Sequence, residues 1–298
     1  MTALDVAIVG APFVDLTFAG LERLPRAGEE VVGRELRMRP GGTGMQAVAA
    51  ARLGLSIALV SPVGADVGGR MLRSIFADEG VRWLGPGVDA TPTTAILSTP
   101  EGTAMATAPA DAEPSREDVV AVDARAVVLS LGRLPLRPRN AAVYVTTGMV
   151  EVEAGVRPDE TALEGIRALI LNEHEAVRIT GARDASDAAE RLAGPARSVV
   201  VTLGSDGAVA VEGSRVVRAP APAVEAIDAT GAGDLFVAAY VWADLAGLGA
   251  EGRVAWACLY AGLSVRAPTA LDGALRLDEL LAQGKHRGMP GPRSGATP

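Results

Sequence analysis

The sequence predicts an α/β protein: a three-layer, doubly wound, mainly parallel sheet with a small separate β lid. Three observations carry this. Short apolar runs alternate with helical stretches through most of the 298 residues, the pattern of strands joined by crossover helices and covered on both faces. Hydrophobic residues make up 49% of the chain and charged residues 21%, which suits a well-filled core. Two stretches, residues 16–39 and 91–105, lack helical periodicity, and the second is Thr-rich and turn-broken, as small antiparallel strands are.

Residues 6–9 read as a buried first strand ending at Gly10, and no G-x-G-x-x-G follows where a dinucleotide fingerprint belongs. Asp15 lies beyond that strand's carboxyl end, the edge at which open α/β sheets bind ligands. Its carboxylate can accept two hydroxyl hydrogen bonds, although a surface-turn aspartate explains it equally well. A short strand is expected over residues 29–34, around Val31. Pro40-Gly41-Gly42-Thr43-Gly44 then leads into a helix over 45–53 closed by Gly54, and glycines ahead of a helix let a ligand approach the backbone. Residues 57–60 form the next strand, and Gly64-Ala65-Asp66 opens a helix that ends near Gly80.

The apolar runs 127–131 and 142–145 are separated only by residues 132–141, with Pro135 and Pro138 inside. A parallel crossover needs a dozen or more residues, so this connection is expected to be abbreviated or irregular. Residues 168–171 form a strand running into Asn172-Glu173-His174-Glu175. Asn172 and Glu175 share one helical face and could order water around a magnesium ion, yet the same pair is a capping-box signature. His174 is expected to face solvent. Residues 198–203 form a β-branched strand ending in the tight turn Gly204-Ser205-Asp206-Gly207, which an ordinary hairpin would also explain. Residues 249–265 and 277–282 read as helices, and 283–298, rich in Gly, Pro, Ser and Arg, as a disordered tail after a single domain over 1–282.

Composition excludes whole classes of function. The net charge of -8 argues against a nucleic-acid surface, and the partner is expected to be a small molecule. Lys285 is the only lysine, so the body of the chain holds none for a Walker-type phosphate loop or a Schiff base. His174 and His286 are too few for a multi-histidine metal centre, and the lone Cys258, among apolar neighbours, reads as core. No apolar run reaches the roughly 18 to 20 residues of a membrane span, and the N-terminus does not resemble a signal peptide. A cytoplasmic protein with no membrane partner is expected.

The stretch with the most chemistry is Asp228-Ala229-Thr230-Gly231-Ala232-Gly233-Asp234, ahead of an apolar helix. A helix N-terminus presents unpaired N–H groups to an anion, and Gly231 and Gly233 have no side chain to hold a phosphate away. Asp234 would sit beside that anion, where its useful role is to take a proton from an attacking hydroxyl. The expected chemistry is phosphoryl transfer to an alcohol; a capped helix start is the bland alternative.

Together these pieces resemble the ribokinase family of carbohydrate kinases, also called the PfkB family. They stand in the family's order: Asp15, Gly41-Gly42 with Ala50-Ala51-Arg52-Leu53-Gly54, Gly64-Ala65-Asp66, Asn172 to Glu175, Thr202-Leu203-Gly204 with Gly207, and Asp228 to Asp234. The resemblance implies a ribokinase-like fold with ATP as phosphoryl donor. It makes Asp234 the general base and Gly231, Ala232 and Gly233 the anion hole. Asn172 and Glu175 would organise magnesium and its waters, and Thr202, Gly204 and Gly207 would line the nucleotide site. Asp15, Gly41 and Gly42 would hold substrate hydroxyls, and Asp228 and Thr230 are the matching positions for a monovalent cation such as potassium.

The chain also departs from the family. An asparagine that contacts substrate follows the paired glycines there, whereas here the matching position is Met45 or Gln46. Thr43 replaces ribokinase's lysine, Ala229 a commoner hydroxyl residue, and the crossover at 132–141 is shortened. The expected activity is therefore ATP-dependent phosphorylation of a sugar or sugar-like alcohol, with the sugar itself left open. The rivals are a nucleoside kinase of the same fold and a catalytically silent sugar or nucleotide sensor. An exposed lid strand near Val31 would allow a homodimer.

Overall fold

The structure is a computed structural model describing residues 4–110, 113–158 and 160–291. The chain opens with β1 (Leu4–Val9), buried throughout, followed by β2 (Pro12–Ala19), β3 (Glu35–Gly42) and α1 (Thr43–Arg52). Next come β4 (Ile57–Val60), β5 (Val63–Gly64), α2 (Val67–Asp78), β6 (Arg82–Leu84) and β7 (Gly87–Val88). A hairpin of β8 (Thr93–Thr99) and β9 (Gly102–Ala108) precedes α3 (Arg116–Val120), β10 (Ala124–Ser130), β11 (Ala142–Thr146), α4 (Met149–Glu153) and α5 (Glu160–Leu163). Then follow β12 (Ala168–Asn172), α6 (Glu173–Thr180), α7 (Ala185–Leu192), β13 (Val199–Thr202), β14 (Ala208–Glu212) and β15 (Arg215–Ala219). Three helices close the fold: α8 (Ala232–Leu245), α9 (Ala250–Ser264) and α10 (Leu277–His286).

Nine strands form one sheet in the order β15-β14-β13-β12-β11-β10-β1-β4-β6. Neighbours are parallel except β13 with β14 and β14 with β15. The chain winds from β1 out to β6, then returns to β10 on the other side of β1 and winds out to β15. The winding therefore reverses between β1 and β10, and ligands of such sheets bind off the carboxyl ends beside the reversal. Strand alternation divides the core in two: Val6 and Ile8 pack with residues of α1, α8 and α9, while Ala7 and Val9 share a cluster with α7 residues on the opposite face. Helices on both faces give the three-layer α/β architecture expected. Cys258 is core, and burial pushes its thiol up to about 12.

The second sheet has the order β3-β2-β8-β9. Its strands differ from the expectation in two places. Residues 29–34 hold no strand; it starts at Glu35 and takes in Pro40, Gly41 and Gly42, and Val32 beside the expected edge is exposed. Asp15 does lie beyond the carboxyl end of β1, but inside β2, opposite Arg39 and Thr94, rather than in the surface turn that was the alternative. The cause is long-range pairing, since β3 matches β2 residue for residue from Ala19 with Glu35 to Pro12 with Gly42. Arg37 and Arg39 on β3 pair with Asp272 at 2.6 and 2.9 Å, which ties this sheet to the loop after α9.

The link from β10 to β11 is abbreviated as expected: a 3-10 turn (Leu131–Leu136) stands in place of a crossover helix, and the two strands remain parallel. The expected disordered tail needs correction. Helix α10 continues through Gln283, Gly284 and Lys285 to His286, and Gly284 lies so close to the Trp256 ring that a Cβ would overlap it. Trp256 Nε1 also donates to the Pro290 carbonyl at 2.9 Å. Residues 292–298 of that stretch lie outside the described residues. Among the described residues no helix is long and apolar enough to cross a membrane.

Candidate active site

Gly231 is the N-cap of α8 at φ +84°, a left-handed conformation that glycine adopts without a Cβ clash. Ala232, Gly233 and Asp234 are the first three helical residues, so the carboxylate sits in the first turn. The Ala232 and Asp234 N–H groups donate to the Ala229 and Gly231 carbonyls at 3.2 and 3.0 Å. Gly233 is exposed, and nothing lies within 4 Å of where its Cβ would be, so an anion can reach its backbone.

Two neighbouring residues of α1 meet this turn in different ways. Met45 is buried against Gly231, where a Cβ would overlap its sulfur, so Met45 supports the turn from behind. Gln46 reaches the site itself: its Nε2 donates to Asp234 Oδ1 at 2.8 Å. Asp234 is half-buried at the start of α8, and desolvation of its carboxyl pushes it up to about 7. The Gln46 hydrogen bond opposes the rise, and the charges of Asp15 and Glu175 add to it.

Asp15 is raised to about 6 by burial. Its carboxylate occupies the space where a Cβ on Gly41 would lie, so Gly41 is glycine to admit Asp15, while Gly42 takes φ +54° at the end of β3. Asn172 caps α6: its Oδ1 accepts from Glu175 N at 2.8 Å, and Glu175 Oε2 accepts from Asn172 N at 2.9 Å. The capping box is therefore real, and it leaves Glu175 buried. Burial raises Glu175 to about 7 against the Asn172 bonds, and the charge of Glu151 adds to the rise.

Glu151 is a candidate site residue that sequence reasoning missed, its charge acting on Glu175. Its Oε1 accepts from Ser130 Oγ at 2.6 Å and its Oε2 from Thr147 Oγ1 at 2.9 Å, at the carboxyl ends of β10 and β11. The available signal was Thr147-Gly148 after an apolar strand. Arg133 was missed as well; its guanidinium packs beside Gly10 at the end of β1 and pairs with Glu113 at 2.5 and 2.6 Å.

Beside the Gly233 turn opens a cleft of about 700 Å³. Its walls include Asn172, Thr202, Gly204, Gly207, Ala232 and Gly233, so it joins the expected nucleotide residues to the expected anion hole. Gly207 also has a packing reason, because at φ +95° a Cβ would strike the Ala219 carbonyl. Helix α9 supplies the far wall through Cys258, Ala261 and Gly262. His174 is exposed as expected and stands on the rim. Asp228 and Thr230 form a local turn in which Thr230 N donates to Asp228 Oδ1 at 2.8 Å, and Asp228 N donates to the Val265 carbonyl.

The pfkB family carbohydrate kinase model matches residues 3–275. The chain belongs to the pfkB family of carbohydrate kinases. It is thus a phosphotransferase with an alcohol group as acceptor. A ribokinase from Bacillus subtilis is 31% identical over 278 residues, covering 88% of this chain and 92% of the relative. Among solved structures, Arabidopsis thaliana ribokinase complexed with ribose and ATP superposes with a TM-score of 0.78 at 22% identity, covering 94% of this chain and 98% of that one. The nucleoside kinase of Methanocaldococcus jannaschii superposes with a TM-score of 0.74 at 18% identity, covering 96% of this chain and 100% of the other. Sugar and nucleoside kinases thus share this fold.

Proposed function

We propose that this pfkB-family kinase transfers the γ-phosphoryl group of ATP to a hydroxyl of a sugar or sugar-like alcohol. The observation that carries the reading is that Asp234 directly follows Gly233, which lines the cleft with Thr202, Gly204 and Gly207, and is near enough to Asp15, packed on Gly41, for that charge to act on it. ATP would lie in the cleft with its terminal phosphate at Gly231, Ala232 and Gly233, and Asp15, Gly41 and Gly42 would hold acceptor hydroxyls. Asp234 would then take the proton of the attacking hydroxyl, and a base poised near neutrality suits that step. The B. subtilis relative and the ATP-bound Arabidopsis neighbour support the same donor and acceptor classes.

Magnesium fits the charge pattern. Burial is the main cause that raises Asp15, Glu175 and Asp234, and the charges of Asp15 and Glu175 on Asp234 and of Glu151 on Glu175 add to it, so a cation there would offset both. Among the described residues no three His, Cys, Asp or Glu side chains stand close enough to ligate a metal together, so Glu175 and Asn172 would hold it through water. Bound there, the ion would neutralise charge on the transferring group. A monovalent cation would be held at Asp228 and Thr230.

Gln46 takes a site position that Met45 does not, and its amide would present a donor to the acceptor hydroxyl as well as to Asp234. The test is ADP release over a panel of sugars, sugar phosphates and nucleosides with magnesium, with and without potassium. Sugar-dependent turnover supports the reading. Turnover with nucleosides alone moves the acceptor class, and tight sugar binding with no turnover makes the protein a sensor.

A further inference from the structure

The abbreviated link between β10 and β11 leaves a second cleft, on the face of the sheet opposite α8. It measures about 870 Å³, and Val143 and Ile166 of the α7-side core lie in its floor. Four arginines line it, Arg116, Arg137, Arg139 and Arg157, against one described carboxylate, Glu164. That is a concentration of positive charge in a chain of net charge -8.

Three of the arginines are held by carbonyls, and none of the four is neutralised by a described residue. Arg116 Nη1 donates to the Pro135 carbonyl at 2.8 Å, Arg137 Nη1 to the Ala162 carbonyl, and Arg157 Nη1 to the Val152 and Val156 carbonyls at 3.0 and 2.9 Å. Among the described residues none of the four forms an ion pair with a carboxylate. A guanidinium has five N–H donors, so these carbonyl bonds position Arg116, Arg137 and Arg157 and leave each with free donors and its full charge, while Arg139 is exposed at the cleft. Arg167 and Arg253, by contrast, are paired with Asp244.

We propose that this cleft is a binding site for a small organic polyanion, a molecule carrying two or more phosphate or carboxylate groups on a compact body. Planar guanidiniums recognise phosphate and carboxylate oxygens in pairs, and several converging ones select for multiple charge. The cleft's volume falls in the range of small-molecule sites, and its apolar floor suits the uncharged part of such a ligand. The cleft touches the active site at one point: the backbone N–H of Gly132, in the 3-10 turn, donates to Glu151 Oε1 at 3.3 Å. The site is nonetheless separate from the kinase cleft, since no residue lines both.

The experiment is calorimetric titration of the full chain with pyrophosphate and with citrate at low ionic strength. It is repeated on Arg139→Gln/Arg157→Gln, two exposed side chains remote from Asp234 whose loss should leave basal turnover unchanged. Saturable binding by the wild type is expected, weakened about tenfold for each arginine removed. Pyrophosphate also fits the Gly233 turn, so the discriminating result is the difference between the two proteins. Equal binding by wild type and variant, or no binding of either anion to the wild type, overturns the proposal.

Discussion

Gln46 and Asp234 stand 188 residues apart in sequence and share a hydrogen bond of 2.8 Å across the α1–α8 contact. The bond favours the ionised carboxylate and so works against the burial that raises it. Gln46→Leu should therefore move the acid limb of the kcat/KM profile upward, by about one pH unit if the bond contributes as charge-assisted hydrogen bonds commonly do. Turnover against pH for both proteins checks this. An unmoved limb would show that Gln46 does not tune the base.

Asp234→Asn should lose about 10² to 10⁴ in turnover while keeping nucleotide affinity. Its effect on stability has the opposite sign. The folded carboxyl titrates near 7 rather than at its ordinary 3.8, so its stability contribution is full below the unfolded value and is lost as pH rises through about 7. Removing the charge should thus raise the melting temperature at pH 8 and change it little at pH 4. Melting curves of both proteins at the two pH values decide it, and a variant less stable than wild type at pH 8 would contradict the raised pKa.

The helix-start turn was legible because its chemistry is local: Gly231 must adopt a positive φ, and Asp234 must follow within one turn. The cleft position of the proposed nucleotide residues was legible for a related reason, since Thr202 ends a β-branched strand at the sheet's carboxyl edge and Gly204 follows it in the turn. The start of β3 was not, because register with β2 decides it rather than the β-branched pair Val31-Val32. Nor could the sequence choose between Met45 and Gln46. Adjacent residues point about 100° apart on a helix, so only the packing of α1 on α8 decides which one faces Asp234. Glu151 stayed hidden because it sits on a five-residue helix with no cap or periodicity to mark it.

Gly41→Ala tests the acceptor side. A Cβ there would overlap the Asp15 carboxylate, which must then turn away from its place over β3. If Asp15 and Gly41 hold acceptor hydroxyls, KM for the acceptor should rise about tenfold or more while KM for ATP stays within about twofold, since one hydrogen bond to a charged group is at stake. Initial-rate kinetics with each substrate varied in turn separate the two. Equal rises in both constants would point instead to general damage.

Asp244, near the other end of α8 from Asp234, holds a network of ion pairs. It accepts from Tyr144 Oη, from Arg167 and from Arg253 Nη1, the last at 2.9 Å, and Arg253 also pairs with Glu212. Burial alone would raise this carboxyl, but the Arg167 and Tyr144 bonds outweigh it and hold Asp244 below its ordinary value. Asp244→Asn leaves two largely buried guanidiniums short of a counter-charge, and breaking such a group costs on the order of 3 kcal/mol. For a chain of this size that corresponds to a drop in melting temperature of roughly 5 to 10 °C. Because a lowered carboxyl contributes above its unfolded value and loses that contribution as pH falls, the gap between wild type and variant should be full at pH 7 and shrink in acid. Ten helical residues, about 15 Å, separate Asp244 from Asp234, so KM and kcat at moderate temperature should not change. A variant that melts normally but turns over slowly would give Asp244 a role in the chemistry that its distance from Asp234 argues against.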